Sequence, residues 1–334
     1  MGHRKYSAPR RGSMAFYPRV RARSLESRIR TWPNSMSDKP SLQGFAGFKV
    51  ANLNVMTVDD REKTPNFGKN LLNPSTLIAT PPLKIIGIRG YKNTVYGKRT
   101  VFDVFGKDSN KNLVRKASFH NKDSKLETIE TIADKVSDIE AVVAVFPESL
   151  SLSQKKPFVW EIPISAKDSK SKLVFAKENL GKEIRIKEVF QPGQFIDVSA
   201  ITRGKGVEGP ITRFGVKRKQ HKSRKSVRAV GTLGPISPAV VMYTVPRQGQ
   251  RGFHQRTEYN KRILLISKDE KENGEIGIGP KGGFDHFSPV NGDYIIVRGS
   301  VPGVPKRLIK MRMPLRKKQK KIVEPKILEV IVRK

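Results

Sequence analysis

Apolar residues along this chain fall into short runs separated by Gly and Pro, and most of the runs predict strands. Phe45, Phe48, Val50, Leu53, Val55 and Val58 predict a strand pair that closes at Asp59-Asp60. Leu83 to Tyr91, behind Pro81-Pro82, is rich in β-branched residues and predicts a buried strand. Phe158 to Ile164 alternates, and so does Ile184 to Val198: Ile184, Ile186, Glu188 and Phe190 precede a Gln191-Pro192-Gly193 turn, and Phe195, Ile196 and Val198 follow it. Further strands are predicted at Arg262 to Ile266, Glu275 to Ile278, Asp293 to Val297 and Ile327 to Val332. Leu126, Ile129, Ile132, Ala133, Val136 and Ile139 recur at helical spacing, and Val142 to Phe146 predicts a strand after them. Several short strands without regular strand–helix alternation predict a mainly β fold, a barrel or a sandwich.

Three stretches keep neither period. Residues 1–40 are rich in Pro, Ser and Arg and predict an extended arm. Residues 201–260 are punctuated by Gly204, Gly206, Gly209, Gly215, Gly231, Gly234, Gly249 and Gly252, which is anomalous inside a compact domain and predicts an extension ordered against something else. Lys306 to Lys321 reads as a basic tail region.

Charge changes the picture. The chain of 334 residues carries 66 Lys and Arg against 30 Asp and Glu, a net +36. A polyanion is the expected counterpart. The excess lies on the aperiodic stretches: nine Lys/Arg and one Glu in residues 1–30, seven Lys/Arg and no acid from Lys217 to Arg228, nine Lys/Arg from Lys306 to Lys321. Residues 121–150 are the reverse, with seven acids and three bases, and are expected to face solvent away from the polyanion. No run approaches the ~18 apolar residues that span a bilayer. The amino terminus has no apolar segment following its basic residues, so a cytosolic protein is expected. Without cysteine there are no disulfides, zinc ribbons or thiol catalysis.

Catalytic chemistry finds little support. Gly204-Lys205-Gly206-Val207-Glu208-Gly209 fits G-x-G-x-x-G, but Pro210 follows at once and the next twenty residues are basic. A dinucleotide site needs that motif to open a helix, with an acid about 20 positions on; a flexible turn that brings backbone close to phosphates is the better reading. His3, His120, His221, His254 and His286 never fall at i,i+3 or i,i+4, so no metal site is expected. The basic runs are interleaved with Phe214, Tyr243, Phe253 and Tyr259, which suits phosphate contacts and stacking on the exposed bases of folded RNA. Two rivals stand beside this reading. An RNA-acting enzyme would need a cofactor pocket or acid/base cluster, and a membrane-surface or chromatin-packing protein would show little preference among polyanions.

Longer blocks carry a resemblance. Gly2-His3-Arg4-Lys5 with Ala8-Pro9-Arg10-Arg11-Gly12-Ser13, and Arg28-Ile29-Arg30-Thr31-Trp32-Pro33, resemble the amino terminus of the archaeal and eukaryotic ribosomal protein L3 family. So do Gly44-Phe45-Ala46-Gly47-Phe48-Lys49, Thr80-Pro81-Pro82, Ile196-Asp197-Val198, Arg203-Gly204-Lys205-Gly206 and the run from Gly249 to Asn260. The blocks lie in order from end to end, and the absence of the eukaryotic lysine-rich carboxyl tail leads us to expect the archaeal branch. The resemblance implies a six-stranded translation-protein-type β-barrel whose amino-terminal arm and central finger reach through large-subunit ribosomal RNA toward the peptidyl-transferase centre. It also implies binding near the 3′ end of that RNA and a part in early subunit assembly, with support for the peptidyl-transferase and factor-binding regions. The finger corresponds to Lys217 to Val241, with its tip at Leu233, Gly234, Pro235 and Ile236, where members commonly carry a Trp that this chain lacks. Val50-Ala51-Asn52-Leu53 departs from the usual Ala-Gly-Met-Thr.

The expected organisation is a basic arm over 1–43, a barrel over 44–200 with an acidic α+β insertion at about 100–182, the finger over 201–260, and the rest of the barrel over 261–334. Expected RNA contacts are Arg4, Lys5, Arg10, Arg11, Arg19, Arg21, Arg23 and Arg28 in the arm. In the extension they are Arg203, Lys205, Lys217, Arg218, Lys219, His221, Lys222, Arg224, Lys225 and Arg228, with Arg247, Gln250, Arg251, His254 and Arg256 on the return path. The expected partners are large-subunit ribosomal RNA and neighbouring large-subunit proteins, with no DNA, membrane, cofactor, metal or second copy of the chain, and no enzymatic activity.

Overall fold

A computed structural model describes residues 9–34, 39–106, 110–116, 136–223, 226–267, 278–280, 282–290, 292–316 and 322–332. Arg4, Lys5, Arg224, Lys225, most of the helix expected around Leu126 to Ala133, most of the strand expected at 275–278, and residues 317–321 lie outside these.

In chain order the strands are β1 (Ser41–Leu42), β2 (Gly44–Val58), β3 (Asn70–Ala79), β4 (Leu83–Thr94), β5 (Gly97–Phe105), β6 (Asp138–Val145), β7 (Phe158–Ser165), β8 (Glu183–Ile184), β9 (Phe195–Ile201), β10 (Val207–Glu208), β11 (Gly249–Gln250), β12 (Gln255–Ile266), β13 (Tyr294–Arg298), β14 (Leu308–Arg312) and β15 (Ile327–Ile331). The helices are α1 (Lys111–Val114), α2 (Ser169–Glu178), α3 (Ile186–Val189) and α4 (Pro210–Phe214). The chain divides into a larger unit, Glu26–Ala200 with Thr257–Lys334, and a smaller one, Met1–Leu25 with Ile201–Arg256.

The larger unit holds two sheets. One runs β14-β9-β12-β13-β3-β2-β15, and β14 also pairs β2, so six of its strands form a ring. The other runs β1-β7-β6-β4-β5, with β8 beside β4. Phe45, Phe48, Leu77 and Ile296 from the first sheet share one apolar cluster with Ile85, Ile88, Val143 and Ile162 from the second. Ile86 and Val142 lie on the opposite face of the second sheet, in a separate cluster with Leu113. β4 is therefore covered on both faces, which is why Ile85, Ile86 and Ile88 are apolar without alternation.

Several expected elements change on folding. The strand pair expected from Phe45 to Asp60 is one continuous strand, β2, which absorbs its irregularity as a register shift between Lys49 and Ala51; the connection to β3 lies at residues 59–69. The alternation expected from Ile184 breaks into helical turn α3, because Ile186 and Val189 are both buried at i,i+3 and the Glu188 carboxylate accepts from the Arg185 N–H at 2.9 Å. Ile139, expected to end the acidic helix, sits on β6 instead. Residues 26–34 and 41–42 of the expected arm belong to the body: Ser27 Oγ donates to Ser199 O at 2.9 Å, Trp32 packs on the core, and β1 pairs β7. A Cβ on Gly44 would lie 2.8 Å from the Trp32 ring and 2.7 Å from Met311 O, so this close approach requires glycine.

The largest difference is at Lys306 to Lys321. Leu308 to Arg312, inside the expected basic tail, is a central buried strand paired to both β2 and β9. Its cations are compensated within the fold. Arg312 Nε and Nη2 lie 3.2 and 3.1 Å from Asp197 Oδ2, a carboxylate that also accepts from the Leu315 amide at 3.1 Å and, through Oδ1, from the Asn260 amide at 3.0 Å. Arg312 Nη1 donates to Thr31 O. Lys310 Nζ pairs with Glu26 at 2.9 Å and lies 4.5 Å from the Trp160 ring centroid. Burial lowers the Lys310 pKa, and Glu26 opposes that shift.

Replacing Asp197 by Ala strands a buried guanidinium and is expected to cost about 3–5 kcal/mol, read as a lower denaturant midpoint. The double replacement Asp197→Leu with Arg312→Met is expected to cost less than Asp197→Ala alone. A single variant as stable as the parent would show that the pair is dispensable.

Candidate nucleic-acid interface

The smaller unit contains twenty Lys and Arg and a single acid, Glu208, so more than half of the net +36 sits on under a quarter of the residues. Its scaffold is backbone. Thr202 N donates to His254 O at 2.9 Å, Lys205 N to Arg251 O at 2.9 Å and Arg251 N to Gly206 O at 2.8 Å, and β10 then pairs β11 antiparallel. On the other side Ala22 N donates to Phe253 O at 2.8 Å, so arm residues join the 249–256 segment. Gly252 has φ +74, and a Cβ there would overlap Arg203 O, which makes this crossing specific to glycine.

The G-x-G-x-x-G run does precede a helix, contrary to the absence of helical period after it: α4 opens with Pro210 at its first turn and ends at Gly215, φ +66. It still is not a dinucleotide motif. β10 lies inside the run and its partner is antiparallel, whereas the nucleotide fold needs a parallel strand–helix–strand unit.

Helix α4 delivers one residue that reasoning from sequence missed, Arg213, next to Phe214, which the sequence had marked. Arg213 donates through Nε to Gln250 O at 3.0 Å, through Nη1 to Arg247 O at 3.1 Å and through Nη2 to Arg19 O at 3.3 Å. Arg19 Nη1 donates in return to Arg213 O at 3.1 Å. Both guanidinium groups lie over the buried Phe214 ring, at 4.2 Å for Arg19 and 5.1 Å for Arg213. Tyr17 stacks on the same ring with centroids 6.2 Å apart. The available signal was the Pro210…Gly215 pair, which brackets one helical turn. Farther along, Arg256 sits 4.3 Å over the Phe16 ring.

These cations crowd one another. Burial lowers the Arg213 pKa, and Arg19 lowers it further; the same two causes act on Arg256. Arg251 is the exception, paired to Glu208 at 2.7 Å. His254 Nδ1 lies 2.8 Å from Val20 O, so Nδ1 carries the hydrogen and donates to that carbonyl. Burial lowers its pKa, the Val20 carbonyl opposes this, and Arg256, Arg19 and Arg213 add to the lowering.

The expected residues divide into groups. Arg19, Arg203, Lys205, Gln250, Arg251, His254 and Arg256 line one cleft of about 390 Å³, together with Arg213. Arg21 and Arg23 line a recess of about 580 Å³ with Gly204, Gly206 and Phe253. Arg10 and Arg11 are exposed on irregular chain, as are Lys217, Arg218, Lys219, His221, Lys222, Arg228 and Arg247. At the expected finger tip Leu233, Gly234, Pro235 and Ile236 are exposed, Ile236 almost wholly so at 97%. Arg28 lies in the larger unit. Among the described residues no cluster of His, Asp or Glu could hold a metal ion, and no helix is long and apolar enough to cross a membrane.

Residues 1–333 match the family model for Ribosomal protein L3. The chain belongs to the L3 family. It is 43% identical to the large ribosomal subunit protein uL3 of Pyrobaculum aerophilum, over 98% of each chain. It is 41% identical to that of Methanococcoides burtonii, over 98% of this chain and 97% of the relative, and 42% identical to that of Archaeoglobus fulgidus, over 93% of each. L3 membership spans the cleft and the body alike.

His254 is expected to titrate below its ordinary 6.5 in the isolated chain, read by the pH dependence of its ring proton resonances. Because the folded value is depressed, its contribution to stability is complete above about pH 6.5 and declines as pH falls through the folded pKa. A midpoint at or above 6.5 would contradict the placement of the ring. Arg213→Lys keeps the charge but cannot reach three carbonyls, and is expected to free the 247–250 backbone, read as faster amide exchange at Gly249 to Arg251.

Proposed function

We propose that the chain is a non-catalytic constituent of the large ribosomal subunit in the cytoplasm, where it holds folded 23S-type ribosomal RNA in place. The observation that carries the reading is the concentration of guanidinium groups on the smaller unit with one acid among them. Family membership, and the large-subunit name of its relatives, support the same assignment. In this reading the six-stranded ring is the translation-protein-type barrel that anchors the chain. The arm before Glu26 and the extension over 201–256 present their cations to RNA as arm and finger, and the expected partners include neighbouring large-subunit proteins.

The mechanism is electrostatic and backbone-directed. Arg19, Arg203, Lys205, Arg251 and Arg256 present forked or point donors to phosphate oxygens, while the glycines at 204 and 206 let the chain approach a phosphate ribbon closely. Neutral His254 offers Nε2 as an acceptor for a 2′-hydroxyl, a group that distinguishes RNA from DNA. Exposed Lys217, Arg218, Lys219, Lys222 and Arg228, with Arg224 and Lys225 in the same run, neutralise phosphates along the finger. The expected consequences are binding near the 3′ end of the RNA, action early in assembly, and support of the peptidyl-transferase and factor-binding regions.

Binding of the full chain to deproteinised large-subunit RNA is expected to weaken steeply with salt, through counterion release. Each phosphate-contacting residue replaced by Ala should lower the slope of log K against log salt by about 1. Replacing Lys217, Arg218, Lys219, Lys222, Arg224 and Lys225 together with Ala should leave the unfolding temperature nearly unchanged and impair incorporation into large subunits. Equal affinity for bulk duplex DNA, or unaltered incorporation, would overturn the assignment.

A further inference from the structure

The β4–β5 hairpin ends in a feature that nothing within the described chain explains. Thr94 and Gly97 close a two-residue loop of Val95 and Tyr96, whose relative exposures are 100% and 101%. Thr94 Oγ1 donates to Gly97 O at 2.8 Å, and Gly97, at φ +108, takes the left-handed backbone, while neither loop residue has a positive φ. The turn therefore places no demand for a valine and a tyrosine at its two tip positions, where small polar residues are the usual choice. Packing places none either, because residues 92–100 are exposed throughout.

The hairpin is rigidly based. Arg89 bridges Asp103 and Glu161, Tyr91 Oη donates to Glu161 at 2.6 Å, and Lys98 Nζ reaches Glu140 at 3.1 Å and Asp138 at 3.2 Å. On the rung between Tyr91 and Lys98 of that network, Lys92 and Arg99 face each other across the ladder, a like-charge pair that weakens a sheet. Neither has an acidic partner among the described residues, and residues 92–101 contain no acid in sequence. An exposed aromatic ring ahead of two opposed, uncompensated cations is complementary to a nucleotide: the ring stacks on a base while the cations hold its flanking phosphates. A protein surface fits less well, since the exposed apolar area here is Val95, Tyr96 and part of Val101, set among Lys92, Lys98 and Arg99.

We propose that the β4–β5 hairpin is a second RNA-binding element, separate from the arm and finger, in which Tyr96 stacks on an unpaired base and Lys92 and Arg99 neutralise the adjoining phosphates. The proposal rests on the RNA-binding reading of the chain. It extends that reading to the second sheet, whose strand β6 comes from the acidic stretch 121–150 that was expected to face away from RNA.

The test uses the full chain bound to deproteinised archaeal large-subunit RNA, with ultraviolet crosslinking and mass spectrometric mapping of the attached nucleotides. A crosslink is expected on the peptide containing Tyr96. It should vanish in Tyr96→Ala and persist in Tyr96→Trp, while crosslinks to the 249–256 segment remain in both. Tyr96→Ala should weaken binding by about tenfold without changing the salt slope. Lys92→Ser with Arg99→Ser should lower that slope by about 1–2. These positions are exposed, so the thermal transition should not move, and a variant that unfolds early is replaced by Tyr96→Ser. Crosslinks confined to the 249–256 segment, or unchanged affinity in Tyr96→Ala, would overturn the hairpin proposal and leave the reading of the chain intact. Loss of all RNA binding by the unaltered chain would overturn both. Attachment of the hairpin to polypeptide alone, in reconstituted subunits, would show that its occupant is a protein.

Discussion

A cation removed from water must meet a carboxylate or a ring of acceptors, and this requirement organises the larger unit. Arg312 is 7% exposed and Asp197 wholly buried, so each is stable there only because the other is present. The pair is also a junction. Asp197 lies on β9, Arg312 on β14, the Asn260 amide on β12, and Thr31 on the segment that leads from the amino terminus. Four stretches far apart in sequence converge on one charge. Lys310 does the same on a smaller scale by tying β14 to Glu26. Lys49 reaches Val301 O at 2.7 Å and Gly303 O at 3.3 Å, holding the loop ahead of β14 through carbonyls instead of a carboxylate. Burial lowers the Lys49 pKa accordingly.

The smaller unit treats its cations in the opposite way. Arg19, Arg213 and Arg256 rest on the faces of Phe214 and Phe16, which hold a guanidinium in place without cancelling its charge. Backbone carbonyls take the remaining donors of Arg213. The outcome is a surface that is ordered and still strongly positive, where the nearest compensation is the Arg251–Glu208 pair. A protein gains little stability from such an arrangement by itself, since like charges repel at this spacing. It gains a fixed geometry of donors ready for a polyanion, and so loses less entropy when the polyanion arrives.

How far the sequence disclosed this depends on the kind of signal. Strands with strong apolar content were legible: Leu83 to Tyr91 is β4 and extends to Thr94, Arg262 to Ile266 ends β12, and Asp293 to Val297 is β13 within a residue. β3 and β5 were not, because Asn70 to Ala79 and Gly97 to Phe105 mix polar and apolar residues on half-exposed backbone. α3 hid inside a strand-like alternation whose Ile186 and Val189 also satisfy a helical turn. The instructive failure is β14. Lys310 and Arg312 read as a basic tail because charge counted along the chain cannot show that Glu26 and Asp197, over a hundred residues away, wait for them. The cleft was legible as a set of residue types, and Arg213 was missed because its role lies in three carbonyls that no side-chain pattern records.

Connectivity explains why these two treatments of charge coexist in one chain. The extension leaves through β9 and returns through β12, which are neighbours in the same sheet. Its ends are thus held about one strand spacing apart, roughly 4.8 Å. Closing a loop costs entropy that grows only with the logarithm of its length, so a long excursion between paired strands is tolerated once the strands are secure. The arm is tethered likewise, since Glu26, Ser27 and Thr31 are fixed to Lys310, Ser199 and Arg312 immediately after it. Buried, compensated cations therefore secure the roots of segments whose own cations are left uncompensated. Removing the first kind would release the second from fixed points, and the positive surface would lose its geometry while keeping its charge.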